Sequence, residues 1–311
     1  MTDKKNAFFR ALVLPLSLLL AACGSTPQNT PRAPGGYDVV LLAGQSNMAG
    51  RGAIPSPLDE DGQPDPSIMM WDPVRGIVPA KDPIIHTELG NKPTAVGMGL
   101  TFAKAYLADA KRRGEPERKV LLVGAAWGGT GFSEDVPQFH HRWVATDDPA
   151  IGGDLYRAAV QRANAAIQAA QAQDSSSRFR GILWHQGESD ANKAGSANYA
   201  QQHKALMNAL RMNISGAVGT PLVVGEMTPC FMVHCNAPSG KAGPDAYRRQ
   251  VFDYIHDIAA QVPNSAWVSS EGLASNGPKD EIHFNTASQR ELGRRYAQKF
   301  SELLQSAAAK R

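Results

Sequence analysis

Five short aliphatic runs recur along this chain, each closing on glycine or small residues: "YDVVLLAG", "KVLLVGAA", "GILWHQG", "PLVVGEM" and "SAWVSS". Their apolar positions are consecutive rather than alternating, which is the pattern of strands buried on both faces. Between them lie longer stretches with helical spacing, roughly Ala95 to Arg112, Asp154 to Ala172, Ala197 to Met212, Asp245 to Ala260 and Thr286 to Leu304. This alternation predicts an α/β fold: a central parallel sheet, right-handed crossovers and helices on both faces, a three-layer sandwich. Open sheets of that kind bind ligands outside the carboxyl ends of their strands.

The first 36 residues read as targeting and tethering. Lys4, Lys5 and Arg10 precede an apolar run, Ala11 to Ala22, that is shorter than the ~20 residues needed to span a bilayer. "LAAC", Leu20 to Cys23, resembles a bacterial lipobox, so residues 1–22 are expected to be a lipoprotein signal peptide with Cys23 as the lipidated residue. Gly24 stands where an aspartate would resemble an inner-membrane retention signal, so the expectation is a cell-envelope lipoprotein anchored in the outer membrane. Residues 23–36, rich in Pro, Gly, Ser and Thr, are predicted to form a flexible tether, and 37–311 the folded domain.

Charge narrows the partners. The chain carries 32 Lys and Arg against 29 Asp and Glu, a net charge of +3 that falls to about +1 without residues 1–22. That balance offers no basic field for nucleic acid, and no long charge run is present. Of the three cysteines, Cys230 and Cys235 in "CFMVHC" lie close together in a compartment that permits disulfides, which predicts a small loop-closing bridge. A metal site with His234 between them would lack enough ligands at a recognisable spacing.

"GQSNMAG" follows the first strand and exposes Ser46 among glycines that let the backbone turn sharply. A lone serine there can simply cap the next helix. As a nucleophile it needs a base to remove its proton. Eight histidines are available, and His86, His140, His141, His203, His234 and His256 show no obvious acidic orienter in the sequence. His185 in "WHQGESD" is compatible with a structural or a site-lining role. His283 differs, because "KDEIHFN" places Asp280 three residues before it, where a turn can fold the carboxylate onto the imidazole. Glu188 of "WHQGESD" remains an alternative acid. Acyl transfer also needs donors aimed at an oxyanion, and "GAAWGGTG" supplies small residues whose N–H groups can approach a substrate, with the Gln186 amide as a further donor.

Taken together, "GQSNMAG", "AWGGT", "WHQGESD" and "DEIHFN", in this order over nearly all of Tyr37 to Leu304, closely resemble the sialate O-acetylesterase-like domain of the SGNH hydrolase superfamily. The likeness is strongest to carbohydrate esterases of family six, which include acetylxylan esterases. It implies a flavodoxin-like fold, Ser46 as nucleophile, His283 as base and Asp280 as its orienter. The Ser46 amide, an amide from Gly128 or Gly129, and Gln186 would form the oxyanion hole; Gln186 stands where the wider superfamily has Asn. The implied reaction is removal of O-acetyl groups from a carbohydrate such as acetylated xylan, with no metal or cofactor. Sialate or peptidoglycan acetyl esters are the alternatives, as is a non-catalytic lipid-anchored carbohydrate-binding protein. Trp71, Trp127, Trp143 and Trp184 are candidates for stacking on sugar rings, with core packing the expected role for most.

Overall fold

The computed structural model describes Met1 and residues 35–87, 95–133, 141–148, 151–235 and 246–309. The signal peptide, Cys23 and His140 lie outside the described residues. Among the described residues, seven strands form one sheet in the order β3-β2-β4-β1-β5-β6-β7. They are β1 (Gly35–Gly44), β2 (Ile68–Asp72), β3 (Gly76–Pro79), β4 (Arg118–Gly124), β5 (Arg178–His185), β6 (Leu222–Gly225) and β7 (Ser265–Val268). All neighbours pair in parallel except β2 and β3, an antiparallel hairpin that closes one edge.

Two details differ from the sequence expectation. β1 begins at Gly35, inside the predicted tether, because Gly35 pairs with Arg118 and the Gly36 N–H donates to Ser176 Oγ at 3.0 Å. The β2–β3 hairpin was not foreseen: its strands are four and five residues long, and β2, "IMMWD", has no β-branched run. Its turn is set by Asp72, whose Oδ1 accepts from the N–H groups of Val74 and Arg75 at 2.8 and 3.2 Å.

The eight α-helices among the described residues are α1 (Ser46–Ala49), α2 (Gly99–Arg112), α3 (Asp154–Gln173), α4 (Lys193–Asn213), α5 (Pro229–Val233), α6 (Ala246–His256), α7 (Ile258–Gln261) and α8 (Thr286–Ala309). The pleat of β1 explains the layering: Val39, Leu41 and Ala43 face a core shared with α3, α4 and α6, while Val40 and Leu42 face one shared with α2 and α8. Trp143 and Trp184 are fully buried in the first core and Trp71 nearly so, which leaves Trp127 as the half-buried member of the four tryptophan candidates. No helix among the described residues is long and apolar enough to cross a membrane.

Because β1 is central, the loops after β1, β4 and β5 converge at one edge of the sheet. A cavity of about 320 Å³ at the opposite, amino-terminal edge is lined by Asp38 and Arg118, which are paired at 2.7 Å. Asp38 also accepts from Tyr106 at 2.6 Å, so its carboxylate is engaged on both oxygens.

Candidate active site

Ser46 leaves β1 through Gly44, which has φ 133°. A Cβ on Gly44 would lie 2.1 Å from the carbonyl oxygen of His185, so only glycine lets β1 run this close to the end of β5. The next residue, Gln45, is locked by its N–H donating to the same His185 carbonyl at 2.9 Å. Ser46 then opens α1 with Gln45, not itself, in the capping position. Its hydroxyl is therefore not engaged as a helix cap.

His283 reaches Ser46 across 237 positions of sequence, with its Nε2 2.9 Å from Ser46 Oγ. On the other side of the ring, Nδ1 lies 2.9 Å from Asp280 Oδ2. Oδ1 of Asp280 accepts from the backbone N–H groups of Ile282 and His283 at 3.2 and 3.1 Å. One carboxylate thus folds the turn and orients the ring. Burial alone would raise the Asp280 carboxyl, but the bonds from the His283 ring and backbone outweigh it and hold the group below the usual carboxylate range. With Nδ1–H donated to Asp280, Nε2 presents its lone pair to the serine hydroxyl.

Ser46 and His283 open into a cavity of about 340 Å³ whose wall includes Arg51, Gly128, Gly129, Glu188, Phe231 and Ile282. The backbone N–H groups of Ser46 and Gly129 make no hydrogen bond among the described residues, so both remain available to an oxyanion.

Two sequence expectations are corrected. Gln186 is fully buried and absent from the cavity wall; its amide donates to Asp190 Oδ2 at 2.8 Å and to the Thr130 carbonyl at 3.3 Å. Both amide hydrogens are spent, so Gln186 braces the glycine loop and is no oxyanion donor. Glu188 is not the acid that orients His283: the two ring nitrogens are taken by Asp280 and Ser46, and Glu188 Oε1 instead accepts from Asn47 Nδ2 at 2.7 Å.

The bracing group behind Gln186 is Asp190, which sequence reading passed over. Its carboxylate accepts from the N–H groups of Phe132 and Ser133 at 2.9 and 3.0 Å, and a Cβ on Gly131 would fall 2.4 Å from its Oδ2. Asn47 was missed as well. Its side chain donates to the Ile282 carbonyl at 3.0 Å and accepts from the Phe284 N–H at 3.1 Å, clasping the residues on either side of His283. Its only sequence signal is its place beside Ser46.

A match to the model of the family "Carbohydrate esterase, sialic acid-specific acetylesterase" covers residues 36–302. The chain belongs to that family. It is a carboxylic ester hydrolase, a carbohydrate acetylesterase. A probable carbohydrate esterase of Arabidopsis thaliana is 25% identical over 276 residues, 84% of this chain and 89% of that protein. The crystal structure of that Arabidopsis protein superimposes with a TM-score of 0.64 at 22% identity, over 86% of this chain and 98% of the other. NanS gives the same TM-score at 18% identity, over 88% and 99% of the two chains. A carbohydrate acetylesterase of Xanthomonas citri, XAC1771, gives 0.55 at 18% identity, over 86% of this chain and 56% of that one. These likenesses share the fold.

The other histidines among the described residues are engaged away from Ser46. His185 is fully buried and pushed down to about 3 by burial; Tyr296 donates to the Trp184 carbonyl at 2.7 Å and so accepts from His185 Nδ1 at 3.1 Å. His203 and His86 are buried and equally low. Three histidines do have acidic partners that sequence reading did not see: His141 with Asp154, His256 with Glu226, and His234 with Glu281 at 3.8 Å. None of these three lines the Ser46 cavity. Cys230 and Cys235 are joined in a disulfide with Cα atoms 4.9 Å apart, which removes both thiolates from any metal site with Glu281. The bridge joins Cys230, within the short helix that presents Phe231 to the cavity, to Cys235 just past that helix.

Proposed function

We propose that this acetylesterase is a serine esterase using Ser46, His283 and Asp280 to remove O-acetyl groups from acetylated xylan or a related plant polysaccharide. The observation that carries the reading is the continuous chain of contacts from Ser46 Oγ to His283 Nε2 and from His283 Nδ1 to Asp280, each 2.9 Å, beside two unengaged backbone amides. Ser46 Oγ attacks the acetyl carbonyl while His283 takes its proton. The tetrahedral oxyanion is met by the Ser46 and Gly129 N–H groups, each such donor being typically worth about 3 kcal/mol. On collapse His283 returns the proton to the departing sugar oxygen. Water, deprotonated by His283, then attacks the acetyl-enzyme, releasing acetate and restoring the Ser46 hydroxyl.

A sialate acetyl ester is the second reading. It is favoured by the specificity in the family's own description and by Arg51 in the cavity wall, since a cation there suits a sugar carboxylate. Acetate release from acetylated xylan and from O-acetylated sialic acid, each against Ser46→Ala, separates the two. Faster release from xylan supports the first reading, and release from the sialate alone overturns it.

From the lipobox-like "LAAC", Leu20 to Cys23, we also propose that Cys23 carries lipid and anchors the protein at the cell envelope. Cys23→Ser is expected to leave the chain unprocessed or soluble, and unchanged membrane fractionation of that variant would refute the anchor.

A further inference from the structure

Glu188 brings into the catalytic cavity a carboxyl group that no step of the acyl transfer uses. It opens the short 3-10 turn Glu188–Asp190 that follows β5, and it lines the same cavity as Ser46 and His283. Its Oε1 accepts from Asn47 Nδ2 at 2.7 Å, while its Oε2 is buried without a hydrogen-bond partner among the described residues.

Asn47 is fully buried and makes three side-chain bonds. One Nδ2 hydrogen goes to Glu188 and the other to the Ile282 carbonyl; Oδ1 receives the Phe284 N–H. A carboxamide is nearly symmetric in shape but not in chemistry, so a half-turn exchanges donor and acceptor. Rotated in that way, Asn47 would set its oxygen against the Glu188 carboxyl and the Ile282 carbonyl and release Phe284. The Ile282 carbonyl and the Phe284 N–H fix which end of Asn47 is the donor, and Glu188, by accepting the other Nδ2 hydrogen, helps to hold the side chain there and with it the backbone on both sides of His283. Gln289 holds Asn47 from behind, its amide donating to the Asn47 carbonyl at 3.1 Å.

We propose that Glu188 is a positioning residue of this esterase, holding His283 against Ser46 through Asn47. The inference rests on the serine-esterase reading. Burial pushes the Glu188 carboxyl up to about 7, so near pH 6 the group is mostly neutral and a glutamine is a close mimic of its accepting oxygen.

The test is steady-state hydrolysis of 4-nitrophenyl acetate near pH 6 by full-length parent, Glu188→Gln, Glu188→Ala, Glu188→Met and Asn47→Ala. Circular dichroism checks each fold, and Glu188→Met keeps the volume should Glu188→Ala fail to fold. The expected result is a fall in kcat of roughly 10- to 100-fold for Ala and Met with KM within about threefold, and recovery to within about threefold of the parent in Glu188→Gln. Asn47→Ala should lose at least as much, and adding Glu188→Met to it should change kcat by less than about twofold, since residues acting through one contact are not additive. Glu188→Gln as impaired as Glu188→Met, additive losses, or Met within about threefold of the parent would each overturn the proposal. Ser46→Ala in the same assay separates the levels. If it stays active, the serine-esterase reading has failed; if it is dead while the Glu188 variants match the parent, only the positioning role has failed.

Discussion

Replacing Asp280 with asparagine tests how far the geometry of one turn sets the rate. The carboxylate makes three bonds: to His283 Nδ1 at 2.9 Å, and to the His283 and Ile282 N–H groups at 3.1 and 3.2 Å. Asparagine can keep the two backbone bonds through its oxygen, so the turn should fold. Its NH₂ then faces Nδ1 and can only donate, which forces the proton onto Nε2. That places an N–H, not a lone pair, 2.9 Å from Ser46 Oγ, and the imidazole cannot take the serine proton. The same tautomer error in a serine protease triad lowers kcat about 10⁴-fold, roughly 5.5 kcal/mol. Here the Asp280 side chain is a third exposed, so water can partly replace it and a loss nearer 10³-fold, about 4 kcal/mol, is expected. KM should move little, because Asp280 does not line the cavity. The assay is stopped-flow hydrolysis of 4-nitrophenyl acetate near pH 7.5, with thermal melts to confirm the fold. A kcat within about tenfold of the parent, or a larger loss in Glu188→Gln than in Asp280→Asn, would refute the assignment of Asp280.

Asp190→Ala should lower stability by about 3 kcal/mol or more, because it strands the N–H groups of Phe132 and Ser133 and the Gln186 amide in the interior; a change under about 1 kcal/mol in urea melts would contradict this. Glu188→Gln should change how stability depends on pH: the Glu188 carboxyl titrates near 4.5 when unfolded and about 7 when folded, so the parent loses stability between those values and the variant does not. The melting-temperature difference, variant minus parent, should grow from about pH 4.5 to about pH 7 and then level off; a constant difference would refute the burial of Glu188. Cys230→Ser with Cys235→Ser should lower stability by at most about 2 kcal/mol, since the closed loop is short, yet disturb KM through Phe231; an unchanged KM would uncouple the bridge from the cavity.

The central parallel sheet was legible because β1, β4 and β5 carry aliphatic runs buried on both faces, a pattern strong enough to stand without tertiary context. The β2–β3 hairpin lacked it: four or five residues with methionines in β2 give no period to read, and its register comes from β4 already being in place. At the site, Asp280 and His283 were legible because their contact lies within one turn. Ser46 stood out through the glycines around it. The Asn47–Glu188 contact spans 141 positions and leaves no local trace. Gln186 was misread for a related reason: a free side-chain amide and one consumed by a carboxylate four residues later look identical in sequence, and only the buried 2.8 Å bond to Asp190 tells them apart.

The central claim is that Ser46 carries the acyl group. Mixing the protein with excess 4-nitrophenyl acetate, quenching in acid within milliseconds and mapping the peptides by mass spectrometry tests it directly. The account predicts one acetyl group on the peptide containing Ser46, more of it in a variant whose deacylation is slowed, and none in Ser46→Ala, which should also be inactive. Acetyl on another residue with Ser46 unmodified, or turnover by Ser46→Ala within about tenfold of the parent, would contradict it.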